Sequence, residues 1–172
     1  SIKIVEELSN NNNGSKFKWA ADLEERNKLW QARWDVYYSV KALVKNGRVY
    51  STDVCVPISR ITDCVKFAED EVNKIGLRAP MVGHLGDGNF HVLFPYDPND
   101  KEIYKKIRGF SNKLIDKTLE LKGTVTGEHG VGLHKKNYLL KEHPDNIPVM
   151  KTIKRSLDPN NIMNPGKIFD LN

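Results

Sequence analysis

The sequence has few cysteines, no long apolar run and neither of two common cofactor or metal signatures. Its two cysteines, Cys55 and Cys64, form no CxxC pair, so we expect reduced thiols rather than a cysteine-based zinc site. No stretch approaches the roughly 20 apolar residues that cross a bilayer as a helix. The dinucleotide fingerprint GxGxxG and the zinc-protease signature HExxH are both absent, which argues against a Rossmann-type nucleotide site and against a zinc protease.

Charge is spread along the chain without a block of one sign. Lysine and arginine number 27, aspartate and glutamate 22, and no run of five or more basic residues occurs. Short basic pairs are typical of solvated helix faces, so we expect no nucleic-acid partner. The 172 residues, 39% of them hydrophobic, suit one globular domain. The chain begins Ser-Ile-Lys-Ile without a methionine, and we expect it to be entered partway through a longer protein.

The spacing of apolar residues alternates between the helical and the strand period. Helical spacing predicts helices over residues 17–45, 61–75, 100–121, 135–141 and 147–157. Strict alternation predicts a strand over 49–56, and Asp-Gly between two extended runs predicts a hairpin over 81–96. A short strand is predicted at 124–126. This order indicates an α+β fold with a ferredoxin-like antiparallel or mixed sheet covered by helices, followed by C-terminal helices.

Three of the five histidines stand in glycine-rich segments, GHLGDGNFH at 83–91 and TGEHGVG at 126–132. The hairpin is expected to bring His84 and His91 to cross-strand positions with β-carbons ~5 Å apart, so that two imidazoles can share one metal ion. Glu128 would add an oxygen ligand, giving a two-histidine, one-carboxylate set with open positions. His129 beside it is suited to act as a general base. The alternative is that these segments are only turns and their histidines make ordinary hydrogen bonds.

Taken together and in order, GHLGDGNFH, TGEHGVG and MNPGK resemble the C-terminal domain of the FAD-linked oxidases of the vanillyl-alcohol-oxidase type. Within that group the chain is similar to the D-2-hydroxyacid dehydrogenases. The segments LWQARW and YSTDVCVPISR are most similar to the D-lactate dehydrogenase branch. The resemblance runs from about Leu29 to Phe169, and three ordered motifs make it specific.

The resemblance implies roles for particular residues. It implies a divalent metal, zinc or manganese, held by His84, His91 and Glu128. It makes His129 the base, Arg33 the group that binds the substrate carboxylate, and Asn164 a residue that approaches the flavin. On the pattern alone, an exposed helix arginine is the commoner case for Arg33, and Asn164 can equally be a turn residue before Pro165.

The implied reaction is oxidation of D-lactate, or a similar D-2-hydroxy monocarboxylate, to the 2-oxo acid with hydride transfer to FAD. The resemblance implies that relatives acting on 2-hydroxyglutarate carry a basic residue at the position of Ser51. The serine cannot pair with a second carboxylate, which favours a monocarboxylate substrate. Residues 1–172 are then the C-terminal part of the substrate domain, with the flavin-binding domain absent, and the chain alone is expected to be inactive. The resemblance also implies a mitochondrial location and cytochrome c as an electron acceptor.

Three other functions stay open at this point. The first is a D-2-hydroxyglutarate dehydrogenase of the same family. The second is a metal-dependent hydrolase that uses the same histidines without flavin. The third is a non-catalytic interaction module, which would bind neither metal nor any 2-hydroxy acid.

Overall fold

The computed structural model describes residues 1–14 and 17–171, and the chain divides into two units, Ser1–Ser39 and Val40–Asn172. The first unit contains α1 (Ile2–Asn11), α2 (Leu23–Trp34) and most of α3 (Val36–Lys41). The prediction of one helix over 17–45 is wrong in extent, because residues 17–22 are not helical and Asp35 separates α2 from α3. Helix α2 starts where it does because the Asp22 carboxylate accepts a hydrogen bond from the Glu25 amide at 2.8 Å, which is a standard N-cap.

The aromatic side chains of α2 and α3 do not form a core. Trp30 and Trp34 stack with ring centroids 6.4 Å apart, yet their exposed fractions are 49% and 64%. Tyr37 and Tyr38 are exposed as well. Aromatic surface of this kind commonly marks a contact with another part of a protein.

The second unit is built on an antiparallel sheet in which every strand pairs with one central strand. The strands are β1 (Arg48–Ser51), β2 (Val54–Cys55), β3 (Met81–His84) and the central β4 (Asn89–Tyr96). Strands β1 and β2 follow one register along β4, since Ser51 pairs with Leu93 and Val54 with Phe90. They are therefore one strand path, as predicted over 49–56.

The spatial order of the strands is that of a ferredoxin-like sheet. Strand β3 flanks β4 on one side, the β1–β2 path flanks it on the other, and Thr124 bridges to Cys55 at the outer edge. The predicted α+β class is confirmed. The predicted strand at 124–126 shrinks to this single bridge, because the chain bends at residue 125 and continues as a loop.

Helices α4 (Ile61–Ile75) and α5 (Lys101–Glu120) pack together and cover one face of the sheet. Alternate residues of β4 point to these helices, and Phe94 meets Phe110 with ring centroids 4.9 Å apart. Side chains of this size contribute about 1.5–3 kcal/mol each when fully buried. The other alternate residues of β4, including His91, face away from the helices.

The chain ends with two helices and an irregular tail. Helices α6 (Lys136–Glu142) and α7 (Ile147–Leu157) confirm the two predicted C-terminal helices. The tail returns to the loop before α6, where the Ile168 amide donates to the Gly132 carbonyl at 2.8 Å. Among the described residues, no helix combines the length and the apolar character needed to cross a membrane.

Candidate functional site

The two histidines of the hairpin lie on the sheet face away from the helices. Strand β3, a short 3-10 turn and β4 form the predicted hairpin, but His84 pairs with Asn89 and His91 pairs with Val82. The two histidines are therefore diagonal neighbours rather than directly opposite, as had been expected. Diagonal positions on one face lie roughly 7–8 Å apart, which long side chains still bridge.

Glu128 joins these histidines from the loop after Thr124. Its Oε1 lies 2.8 Å from Nε2 of His91, and its Oε2 lies 3.8 Å from Nε2 of His84. One donor atom from each of the three residues lies within 4.8 Å of the other two. His91 is only 6% exposed, whereas His84 and Glu128 are 43% and 48% exposed, so one ligand is anchored in the unit and two open toward its surface.

The His91 ring is oriented in the way a metal-ligating imidazole requires. Its Nδ1 lies 2.9 Å from the carbonyl oxygen of Thr52, which can only accept, so Nδ1 carries the proton. In the neutral ring Nε2 then carries a lone pair, and this atom has no hydrogen-bond partner among the described residues. Facing the Glu128 carboxylate at 2.8 Å, it forms a pair of acceptors that repel each other unless a proton or a metal cation binds there. The arrangement therefore fits a divalent cation.

His129 lies directly beside this set. Its ring stacks on that of His91, with centroids 4.9 Å apart and planes 6° from parallel. Its Nε2 lies 3.5 Å from Oε1 of Glu128, and its side chain is 44% exposed. The ring thus lies beside the three candidate metal ligands and is open to incoming molecules, which suits a proton acceptor.

Asp53, for which the sequence suggested no site role, lies beneath the loop that carries Glu128 and His129. Its carboxylate is fully buried and accepts from the backbone amides of Gly127, Glu128 and His129 at 2.9–3.3 Å. Further donors are the Asn89 amide group, the Thr126 hydroxyl and the Lys135 ammonium. Burial acts to raise the pKa of Asp53, but the His129 amide, Lys135, Thr126 and Asn89 together outweigh it and hold the pKa below its ordinary value.

A signal for Asp53 is present in the strand pattern. Continuing the register of β1 and β2 along β4 sets Asp53 opposite His91. A carboxylate in the interior of a predicted strand, on the same face as a candidate ligand, is an indication of a site. Its hydrogen bonds to the loop at 127–129 come from the three-dimensional fold and could not be read from the sequence.

A second set of possible ligands, Asp53, His91 and His129, has atoms equally close together. It is the poorer metal site on chemical grounds. The Asp53 oxygens are already occupied by amide, hydroxyl and ammonium donors. Nδ1 of His91, which lies 4.0 Å from Oδ1 of Asp53, already donates to the Thr52 carbonyl. The set with Glu128 uses free atoms and is the one that can hold a cation.

A pocket of about 430 Å³ opens next to His129, between β1, α5 and the loop before α6. None of the three candidate metal ligands, His84, His91 and Glu128, lines it. Ser51 also lines the pocket, and its hydroxyl donates to the Thr52 carbonyl at 3.1 Å.

The remaining predicted site residues lie elsewhere. Arg33 is half-buried in the last turn of α2, in the first unit. Asn164 lies in the tail with φ +47°, and its carbonyl accepts from the Lys167 amide at 3.3 Å. Asn164 thus takes part in a turn of the tail, and its approach to the flavin stays a prediction.

Comparison with known proteins identifies the family. Residues 1–168 match the family model described as FAD linked oxidases, C-terminal domain. The chain belongs to this family, as the three motifs had indicated.

Its curated relatives include proteins named as dehydrogenases of D-2-hydroxy acids. A probable mitochondrial D-lactate dehydrogenase of Danio rerio is 44% identical over 99% of this chain and 34% of its own length. A mitochondrial D-lactate dehydrogenase [cytochrome] of Kluyveromyces lactis is 37% identical over 99% of this chain and 30% of its own. A mitochondrial D-2-hydroxyglutarate dehydrogenase of Danio rerio is 31% identical over 81% of this chain and 25% of its own length. The chain spans about a third of the length of the D-lactate dehydrogenases it matches.

Proposed function

We propose that this chain is the substrate-side part of a flavin-dependent dehydrogenase that oxidises D-lactate, or a similar D-2-hydroxy monocarboxylate, to the 2-oxo acid. The observation that carries the proposal is the set His84, His91 and Glu128 with His129 stacked beside it, in a chain whose relatives include D-lactate dehydrogenases. Family membership favours this function over a hydrolase or an interaction module.

His84, His91 and Glu128 would hold a divalent metal, zinc or manganese. Two imidazoles and one carboxylate suit such ions and leave coordination positions open for substrate. The metal would supply Lewis acidity that lowers the pKa of the C2 hydroxyl of the substrate. The free Nε2 of buried His91, facing Glu128 at 2.8 Å, supports this assignment.

His129 would accept the hydroxyl proton as the hydride leaves C2. Its ring is exposed on one side and fixed on the other by stacking on His91. A general base in such a position typically contributes roughly 10²- to 10⁴-fold to the rate. FAD, when bound, would supply the two-electron acceptor.

Arg33 would bind the substrate carboxylate, since a guanidinium can donate two parallel hydrogen bonds to it. Among residues 1–14 and 17–171 the structure gives Arg33 no carboxylate within ion-pairing distance, which leaves its donors available. Ser51 offers a neutral hydroxyl rather than a charge, which favours a monocarboxylate.

The flavin would be bound mainly by an upstream domain outside these residues. The length of the relatives supports this, and so does apolar surface on α7 and the tail. Leu157 and Ile162 are each 74% exposed, and Val149 and Ile153 more than half, a patch of the kind that another domain covers. Asn164 would approach the flavin from this tail. The names of the relatives support a mitochondrial location and, for the Kluyveromyces lactis protein, cytochrome as acceptor.

The metal assignment is tested by removing the metal from the full-length flavoprotein with a chelator. Turnover of D-lactate should fall at least about a hundredfold and return on addition of zinc or manganese. Glu128→Gln should bind either ion more weakly, whereas Glu120→Gln, a surface glutamate paired with Lys117, should bind as the wild type does. Full turnover after removal of all divalent metal would contradict the assignment.

A further inference from the structure

We propose that Asp53 is the positioning residue that holds the loop carrying Glu128 and His129 in its working geometry. The inference deepens the proposed function and rests on it. Asp53 is not one of the three residues proposed to hold the metal. Its effect is exerted through the backbone of Glu128 and His129, whose amides donate to its carboxylate.

The loop wraps around the Asp53 carboxylate with successive backbone N–H groups, in the manner of an anion-binding nest. Three successive amides, those of Gly127, Glu128 and His129, all point to it at 2.9–3.3 Å. Consecutive amides that converge on one carboxylate fix the backbone over that stretch. The direction in which the Glu128 and His129 side chains leave the loop is fixed with it.

The same carboxylate also fastens the far end of the loop. Lys135, one residue before α6, donates from its ammonium to Oδ2 of Asp53 at 3.1 Å and to the Val125 carbonyl at 3.0 Å. The two ends of the 125–135 segment therefore meet at one buried ion pair. A buried charge with a partner of opposite sign and several amide donors is well compensated.

The neighbouring residue orients the third group of the site. The carbonyl of Thr52 accepts from Nδ1 of His91, which leaves Nε2 free for a metal. Residues 52 and 53 thus determine the tautomer of one ligand and the backbone of another. Partners that orient metal ligands in this way typically contribute roughly 10- to 100-fold to metal affinity.

A carboxylate is required at this position because every hydrogen-bond partner of the Asp53 side chain is a donor. Asparagine has the same shape but offers one acceptor oxygen and one amino group. In Asp53→Asn the amino group would face the amides of the loop or the Lys135 ammonium. The loop would be released although the core, which lies on the other face of the sheet, is unchanged.

The test compares Asp53→Asn with Glu71→Gln in the full-length flavoprotein. Glu71 is a matched control, because it is also a buried acid, 6% exposed, and pairs with Lys74 and Lys113 at 2.6 Å outside the site. Two quantities are measured: the dissociation constants for Zn²⁺ and Mn²⁺, and the hydrogen exchange of the amides at 127–129. Flavin content reports folding, and Thr126→Val, which removes one donor to Asp53, provides a milder variant.

Asp53→Asn should weaken metal binding roughly 10- to 100-fold and speed exchange at 127–129, with flavin content retained and Glu71→Gln like the wild type. Thr126→Val should change both in the same direction by less. Wild-type metal affinity together with protected amides in Asp53→Asn would overturn the inference. If the wild type itself binds neither ion, the metal assignment fails, and the exchange rates alone decide whether Asp53 holds the loop.

Discussion

Replacing Gly127 by alanine is a steric test of the site, because there is no room for a β-carbon at this position. That atom would lie 2.0 Å from Nδ2 of Asn89 and 3.0 Å from Oδ1 of Asp53. Ordinary van der Waals contact begins near 3.4 Å. Either Asn89 or the loop must therefore move by about 1.4 Å, the difference between the first distance and ordinary contact.

The cost of this movement can be estimated from the hydrogen bonds it breaks. Nδ2 of buried Asn89 donates at 3.0 Å to Oδ1 of Asp53 and to the Val54 carbonyl. A displacement of that size disrupts both bonds, at about 1–3 kcal/mol for each buried group left unpaired. We expect a total of about 2–6 kcal/mol for the two bonds, which corresponds to a roughly 30- to 20,000-fold change in an equilibrium constant.

The change should appear in metal affinity, because the loop that must move carries Glu128. The assay is titration of Zn²⁺ or Mn²⁺ into the full-length flavoprotein, with flavin content as the measure of folding. Gly86→Ala is the control, since a β-carbon on Gly86, in the turn of the hairpin, meets nothing within 4 Å. Metal affinity of Gly127→Ala within about twofold of the Gly86→Ala value would refute the steric reasoning.

Three further predictions concern the base, the substrate and stability. His129→Ala in the full-length flavoprotein should lower turnover of D-lactate roughly 10²- to 10⁴-fold at unchanged metal content, and near-normal turnover would contradict its role. Ser51→Lys should raise kcat/KM for D-2-hydroxyglutarate relative to D-lactate by roughly tenfold or more, because an ammonium would meet the second carboxylate; an unchanged ratio speaks against that position. Hydrogen bonds from Lys113 and Lys74 hold the pKa of Glu71 below its ordinary value of 4.5. Its contribution to stability is therefore fully present above that pH and is lost as the pH falls below it. The difference in Tm between wild type and Glu71→Gln should shrink between pH 6 and pH 3.5, and a difference independent of pH would exclude this linkage.

Much of the fold could be predicted from periodicity, because its elements have strong local signals. The apolar face of α4 repeats along one side of the helix, and Asp-Gly marks the hairpin turn. The helix predicted over 17–45 was too long because apolar residues keep a helical spacing on both sides of Asp22 and Asp35. The N-cap at Asp22 and the break at Asp35 determine where the helix begins and ends. The strand at 124–126 failed because its pairing depends on Cys55, about 70 residues earlier.

The candidate site was predicted in its residues but not in its geometry. His84, His91, Glu128 and His129 are brought together as the motifs indicated. The diagonal placement of His84 depends on the length of the turn, which the sequence alone left open. The role of Asp53 depends on backbone amides of a distant loop, and amides carry no signature in the sequence.

The central claim is that the full-length protein passes a hydride from a D-2-hydroxy acid to its flavin, and reduction of the flavin tests it most directly. The flavoprotein is mixed anaerobically with D-lactate, L-lactate and D-2-hydroxyglutarate in separate experiments, and the flavin absorbance is followed. We predict fast bleaching by D-lactate, slower bleaching by D-2-hydroxyglutarate and none by L-lactate. Faster bleaching by D-2-hydroxyglutarate would contradict the substrate assignment. A protein that holds flavin and metal but is bleached by none of the three would contradict the proposed reaction.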